Sequence, residues 1–193
     1  MTPNTRFASV PHILRTLMEK DPMQNKSPML QQLCSGTSRC LDGSMKKIRH
    51  CLDQLTDEQV WWRPADDMNS IGNMMLHLAG NLRQWAIVGI GGGDDLRDRP
   101  AEFAAREPLS KDELLARLQG TVDETKQVLA NATEEQLLAG QVIQGFSVTG
   151  VEILFDTIPH FQGHTQEIIC YTRMQVGPAY RFYWSPSTPE EGA

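Results

Sequence analysis

Cysteine is scarce and unpaired. Cys34, Cys40, Cys51 and Cys170 form no Cys-x-x-Cys spacing and fall short of a disulfide framework, so reduced thiols serving as small apolar filler are expected, in a cytoplasmic protein. Positive charge is also short: 18 Lys and Arg against 24 Asp and Glu leave a formal charge of −6 and a pI near 5.3. That balance argues against nucleic acid or an anionic membrane as partner, since both require clustered cations. The one basic cluster, Lys46-Lys47-Ile48-Arg49, reads as a solvated helix face. No run approaches the roughly 18 apolar residues of a membrane span. Met1 to Asn25 mixes Pro, Asp, Glu and Lys without the apolar stretch of a signal peptide. A dinucleotide fingerprint is missing too: in Gly89-Ile-Gly-Gly-Gly93 the last glycine position is taken by Asp94 and no strand precedes it, so a helix terminator and flexible loop are expected.

What the chain does have is helical periodicity. Its 193 residues, 40% hydrophobic, suffice for one domain with a buried core. Residues 1–27, with Pro3, Pro11 and Pro22 around a short helical candidate at His12–Lys20, read as an N-terminal extension. From Pro28, apolar and small residues recur through Leu30, Leu33, Cys40, Leu41, Ile48, Cys51 and Leu55, predicting a first helix over about 28–55. Thr56-Asp-Glu-Gln59 is a capping box for a short turn, with Trp61 and Trp62 as a lid on the core. Asn69 or Ser70 opens a second long helix whose stripe is Ile71, Met74, Met75, Leu78, Leu82 and Trp85, with His77 at its flank.

A polar loop through Pro100 and Pro108 then leads to Ser110 and Glu113, a capping box with a Leu109–Leu114 staple, and a third helix to about Asn131. Thr133-Glu-Glu-Gln136 repeats the earlier turn, so the order helix, capped turn, loop, His-bearing helix occurs twice, as in two related helical hairpins. Gln141–Phe146 is the one strand-like piece. Val148 or Thr149 starts a fourth helix to about Met174, apolar on most of its circumference and expected at the middle of a bundle, with Pro159 predicted to kink or open it. The fold class is therefore all-α: a four-helix bundle over about 28–176 made of two hairpins joined by a long loop, followed by an aromatic and Pro-rich tail over 177–193.

The chemistry resides in the histidines. His160 and His164 are four residues apart, about 40° around a helix with Cβ atoms about 5–6 Å apart, close enough to grip one ion. A metal ordinarily needs a third protein ligand, and His77 on the second helix of the other hairpin would face the pair across a bundle. The competing reading is three core-flanking histidines, each hydrogen-bonded to a neighbour; burying three imidazoles without a shared partner is costly. His12 and His50 read as surface residues. Asp156 and Glu167, at i−4 from His160 and i+3 from His164, either orient a ligand, act as general base, or are polar neighbours.

Asn69-Ser-Ile-Gly-Asn73-Met-Met-Leu-His77-Leu-Ala-Gly-Asn81-Leu-Arg-Gln-Trp85 and His160-Phe-Gln-Gly-His164-Thr-Gln-Glu167-Ile168 resemble the paired motifs of the DinB-like (YfiT-like) metal-binding four-helix bundles, over about residues 28–175. The resemblance implies that His77, His160 and His164 bind a divalent metal, often nickel or zinc, with manganese or iron as alternatives, in a bundle that dimerises. It implies a metal-dependent thiol transferase acting with a bacillithiol-, mycothiol- or glutathione-type thiol and an electrophilic acceptor, or a hydrolase activating water. It also admits a non-catalytic, stress-related metal-binding dimer. Pro159 and residues 1–27 depart from the family pattern.

Overall fold

The start of each long helix is decided by one hydroxyl. In the computed structural model, which describes residues 26–106 and 109–184, Ser27 accepts from the Leu30 amide at the head of α1 (Pro28–Leu52). A reciprocal Thr56–Gln59 box opens the short α2 (Asp57–Trp61). Ser70, not Asn69, caps α3 (Ile71–Leu82), with the Asn73 side chain returning to the Ser70 amide. Asp98 caps α4 (Arg99–Ala104), and Ser110 with Glu113 caps α5 (Lys111–Asn131). The Thr133–Gln136 box opens α6 (Glu134–Leu138), and Thr149, not Val148, with Glu152 caps α7 (Gly150–Val176). Each satisfied cap is worth about 1 kcal/mol. The two Thr-acid-acid-Gln turns are structurally equivalent, each a short capped helix after a long one. The His12–Lys20 helical candidate lies outside the described residues.

Four long helices form the bundle. α1 packs on α5 and α7, and α3 packs on the same two, so α1 and α3 sit diagonally. The shared core holds Leu41, Ile48, Ile71, Met75, Leu78, Leu118, Phe161 and Ile168, all nearly inaccessible. A second cluster at the other end gathers Leu30, Cys34, Ile90, Leu129, Ile153 and Leu154. Trp61 lies over the core, its indole N–H donating to the Leu109 carbonyl at 2.9 Å, whereas Trp62 is exposed. No helix among the described residues is long and apolar enough to cross a membrane.

Several expectations change on contact with the structure. α3 runs on through a π-helical turn, Arg83–Val88, and a last helical turn, Gly89–Gly91, before leaving at Gly92 with φ 85°. The polar loop ahead of Pro108 contains α4, because Asp98 caps the Ala101 amide and Pro100 suits a first helical turn. The strand-like piece is a hairpin: β1 (Gly140–Ile143) pairs antiparallel with β2 (Phe146–Thr149). Gln144 and Gly145 both have positive φ, 51° and 84°, as a two-residue turn of the I′ kind requires. Helix α7 is one of four corners rather than a central rod, and it exposes Phe155 and Met174. It also passes Pro159 unbroken. Proline removes the bond to the carbonyl of residue 155, which lies on the outer face, while Leu154, Thr157 and Phe161 anchor the inner one.

Candidate metal centre

Helix α3 delivers His77 and helix α7 delivers His160 and His164 to one point in the bundle. Ring centroids are 5.1 Å apart for His77–His160, 5.2 Å for His77–His164 and 4.6 Å for His160–His164. One nitrogen from each ring lies within 4.8 Å of the other two, a grouping compatible with a single metal ion. His77 is buried, and the α7 pair is half-buried. His50 is remote from this group and faces the Arg181 carbonyl.

The tautomers follow from what each ring touches on its far side. His77 Nδ1 is 3.0 Å from Glu102 Oε2 and 3.1 Å from Arg97 Nη2; because that Nη2 already donates to Glu102 Oε2 at 2.8 Å, Nδ1–H donates to the carboxylate and Nε2 carries the lone pair. That Nε2 lies 3.0 Å from His160 Nε2, a separation at which two imidazole nitrogens share a proton or a cation. His164 Nδ1 donates to the Glu167 carboxylate. Two of the three rings therefore have a carboxylate behind them, as metal-ligating histidines commonly do. Burial pushes the His160 pKa down to about 4, helped by the neighbouring His164, His77, Arg97 and Arg99. Burial also lowers His164, against the pull of Glu167. Neutral imidazoles at pH 7 are the form that ligates.

Asp156 and Glu167 part company here. Glu167 holds His164, whereas Asp156 is exposed and makes no hydrogen bond to His160 among the described residues. Sequence reasoning passed over the group with the strongest hold on the site, Glu102. It is buried on α4 and receives Arg97 Nε at 2.7 Å and Arg97 Nη2 at 2.8 Å, besides His77. Burial alone would raise its pKa, but the Arg97 and His77 hydrogen bonds outweigh that and hold it below the usual carboxylate range. Arg97 Nη1 also donates to Gln84 Oε1 at 2.9 Å. Glycine at position 80 makes room for this arrangement, since a Cβ there would come within 1.9 Å of Glu102 Oε1. Asn73 completes the wall: its amide donates to the Glu102 carbonyl at 2.8 Å, tying α4 to the start of α3.

The sequence of residues 41–166 matches the family model described as the DinB superfamily. Among solved structures, the chain is similar to a conserved protein from Enterococcus faecalis, with 23% identity over 74% of this chain and 96% of that one, and a TM-score of 0.63. It is also similar to a DinB-like protein from Bacillus subtilis, with 17% identity over 78% of this chain and 99% of that one, and a TM-score of 0.58. At these identities the two structures speak for the fold alone. No curated protein matches the chain.

Proposed function

This chain belongs to the DinB superfamily, and from there we propose that His77, His160 and His164 bind one divalent metal ion, nickel or zinc, at a site that activates a small-molecule thiol, or water, toward an electrophile. The observation that carries this reading is the pair of carboxylates behind the rings: Glu102 and Glu167 occupy Nδ1 of His77 and His164, which leaves Nε2 of each for an ion. A neutral donor set leaves the cation its full charge, and when bound the ion supplies a Lewis acid that lowers the pKa of a thiol or water beside it.

The chain's own groups do the rest. Glu102, held by Arg97, and Glu167 fix the orientation of two imidazoles. Asp156, which lines the cavity beside His160, is the carboxylate we assign to take the proton as the thiol sulfur bonds to the acceptor carbon and the leaving group departs with its electron pair. The proton then passes to solvent. Exposed apolar residues on the α1 and α7 face, Met29 and Phe155, support a homodimer, which sedimentation analysis tests.

Metal analysis of the purified protein is the first experiment: one equivalent in wild type and none in His160→Ala is expected. A screen of bacillithiol, mycothiol and glutathione against electrophiles follows. If no thiol changes turnover or melting temperature in a metal-loaded sample, transfer is abandoned and a non-catalytic metal-binding bundle remains.

A further inference from the structure

A cavity of about 280 Å³ opens beside His160, between the π turn, the hairpin and the first half of α7. Its apolar wall is Trp85, Phe146 and Val148; its polar groups are Asn81, Asp156 and Thr157. The aromatic rings stand 6.5 Å apart at 40°, with Phe146 62% exposed, so much of its face is bare. Trp85 belongs to the six-residue π turn, a geometry that is rare and concentrates at functional sites.

Thr157 is the telling residue. On the same helix Thr165 and Thr172 donate back to the Phe161 and Ile168 carbonyls at 2.8 Å. Thr157, only 3% exposed, makes no such bond, and its hydroxyl has no hydrogen-bond partner among the described residues. A buried hydroxyl left unsatisfied costs stability, and Thr157, three residues before His160 on the same face of α7, borders the cavity with this hydroxyl covered in the unliganded chain.

Resting on the function proposed above, we infer that this cavity holds the electrophilic acceptor, and that the acceptor is a molecule with one aromatic ring and one hydrogen-bonding substituent, such as a carbonyl. The volume lies just below the usual range of ligand pockets, about 300–1,000 Å³, which suits a single ring and excludes a peptide-sized thiol. Trp85 and Phe146 favour an aromatic body in an offset or edge contact. Thr157 supplies the polar anchor.

The experiment is a ¹⁹F line-width titration of the full chain with 4-fluorobenzamide and 4-fluorotoluene, with metal content measured on the same samples. Saturable broadening by 4-fluorobenzamide is expected, with 4-fluorotoluene binding about fivefold more weakly. Phe146→Ala weakens every ring about tenfold. Thr157→Val weakens 4-fluorobenzamide about fivefold and leaves 4-fluorotoluene unchanged. The inference is overturned if neither fluoroaromatic binds, or if Thr157→Val affects amide and toluene alike. A chain that lacks metal but still binds 4-fluorobenzamide overturns the metal-site function and leaves the pocket. A metal-loaded chain that ignores both probes overturns the pocket and leaves the metal site. Neither variant alters a histidine or its carboxylate partner, and matching melting curves verify that each is folded.

Discussion

The two sides of the histidine cluster are built on opposite plans. On the α4 side, Glu102, Arg97, Gln84 and Asn73 bond to one another and to His77, and the Arg97 and Glu102 side chains are 3% and 10% exposed. On the hairpin side, Thr157 lacks a partner among the described residues, Asp156 faces solvent, and two aromatic rings stand partly open. A wall whose hydrogen bonds are all made internally holds a ring rigidly, even though a cavity of about 410 Å³ borders it. A wall with unspent groups holds nothing and can receive something. Rigidity and receptivity are thus segregated to two faces of the same three rings.

Deleting one group from the closed wall should give the largest effect. Glu102→Ala strands the Arg97 guanidinium out of water, and a loss of about 3–5 kcal/mol is expected in urea unfolding. The double variant Glu102→Leu with Arg97→Leu should recover most of it, because two apolar side chains of similar volume leave no charge behind. A double variant as unstable as the single one would mean the wall is structural for some other reason.

Metal removal comes next. With the free ion at about 100 times its Kd, linkage gives about 2.7 kcal/mol, or a fall in Tm of roughly 5–10 °C on chelation for a chain this size. His160→Ala should melt at one temperature with or without chelator; a chelator response that persists there would place the ion elsewhere.

Gly80→Ala adds one methyl group where the Glu102 carboxylate sits. Either the carboxylate leaves His77 or α3 shifts, at a cost of about 1–3 kcal/mol. Weakened metal retention in this variant, measured by competition with a chelator dye, would show that Glu102 acts through the ring it positions. The smallest effect belongs to the open wall: Thr157→Val removes an orphaned hydroxyl at constant shape and should change stability by less than about 1 kcal/mol, in either direction. A large loss would reveal a hidden partner and erase the contrast between the walls.

How legible this was in the sequence depends on the range of the interaction. Capping boxes at Thr56, Ser110 and Thr133 were readable because each is a contact over three residues, whereas the one at Thr149 was left between Val148 and Thr149. The four long helices followed from apolar stripes, and His160 with His164 from their spacing on one of them. Glu102 was invisible: it sits on a six-residue helix in a stretch dominated by Pro and charge, 25 positions from the ring it holds. The one local signal was Asp98 ahead of Pro100, a cap too short to outweigh that composition. The π turn left no signal either, since Arg83–Val88 carries the same apolar spacing as the α-helix before it.

Local spacing, then, was enough for an all-α chain with two echoing hairpins and three histidines on two helices, because caps and amphipathic stripes are energies of neighbours in the chain. Which carboxylate stands behind which ring, which hydroxyl is left over, and where the open wall lies were settled only when α3, α4, α7 and the hairpin met. Those are contacts between groups far apart in sequence, and their energies exist only after packing has excluded water from one side of the cluster and not from the other.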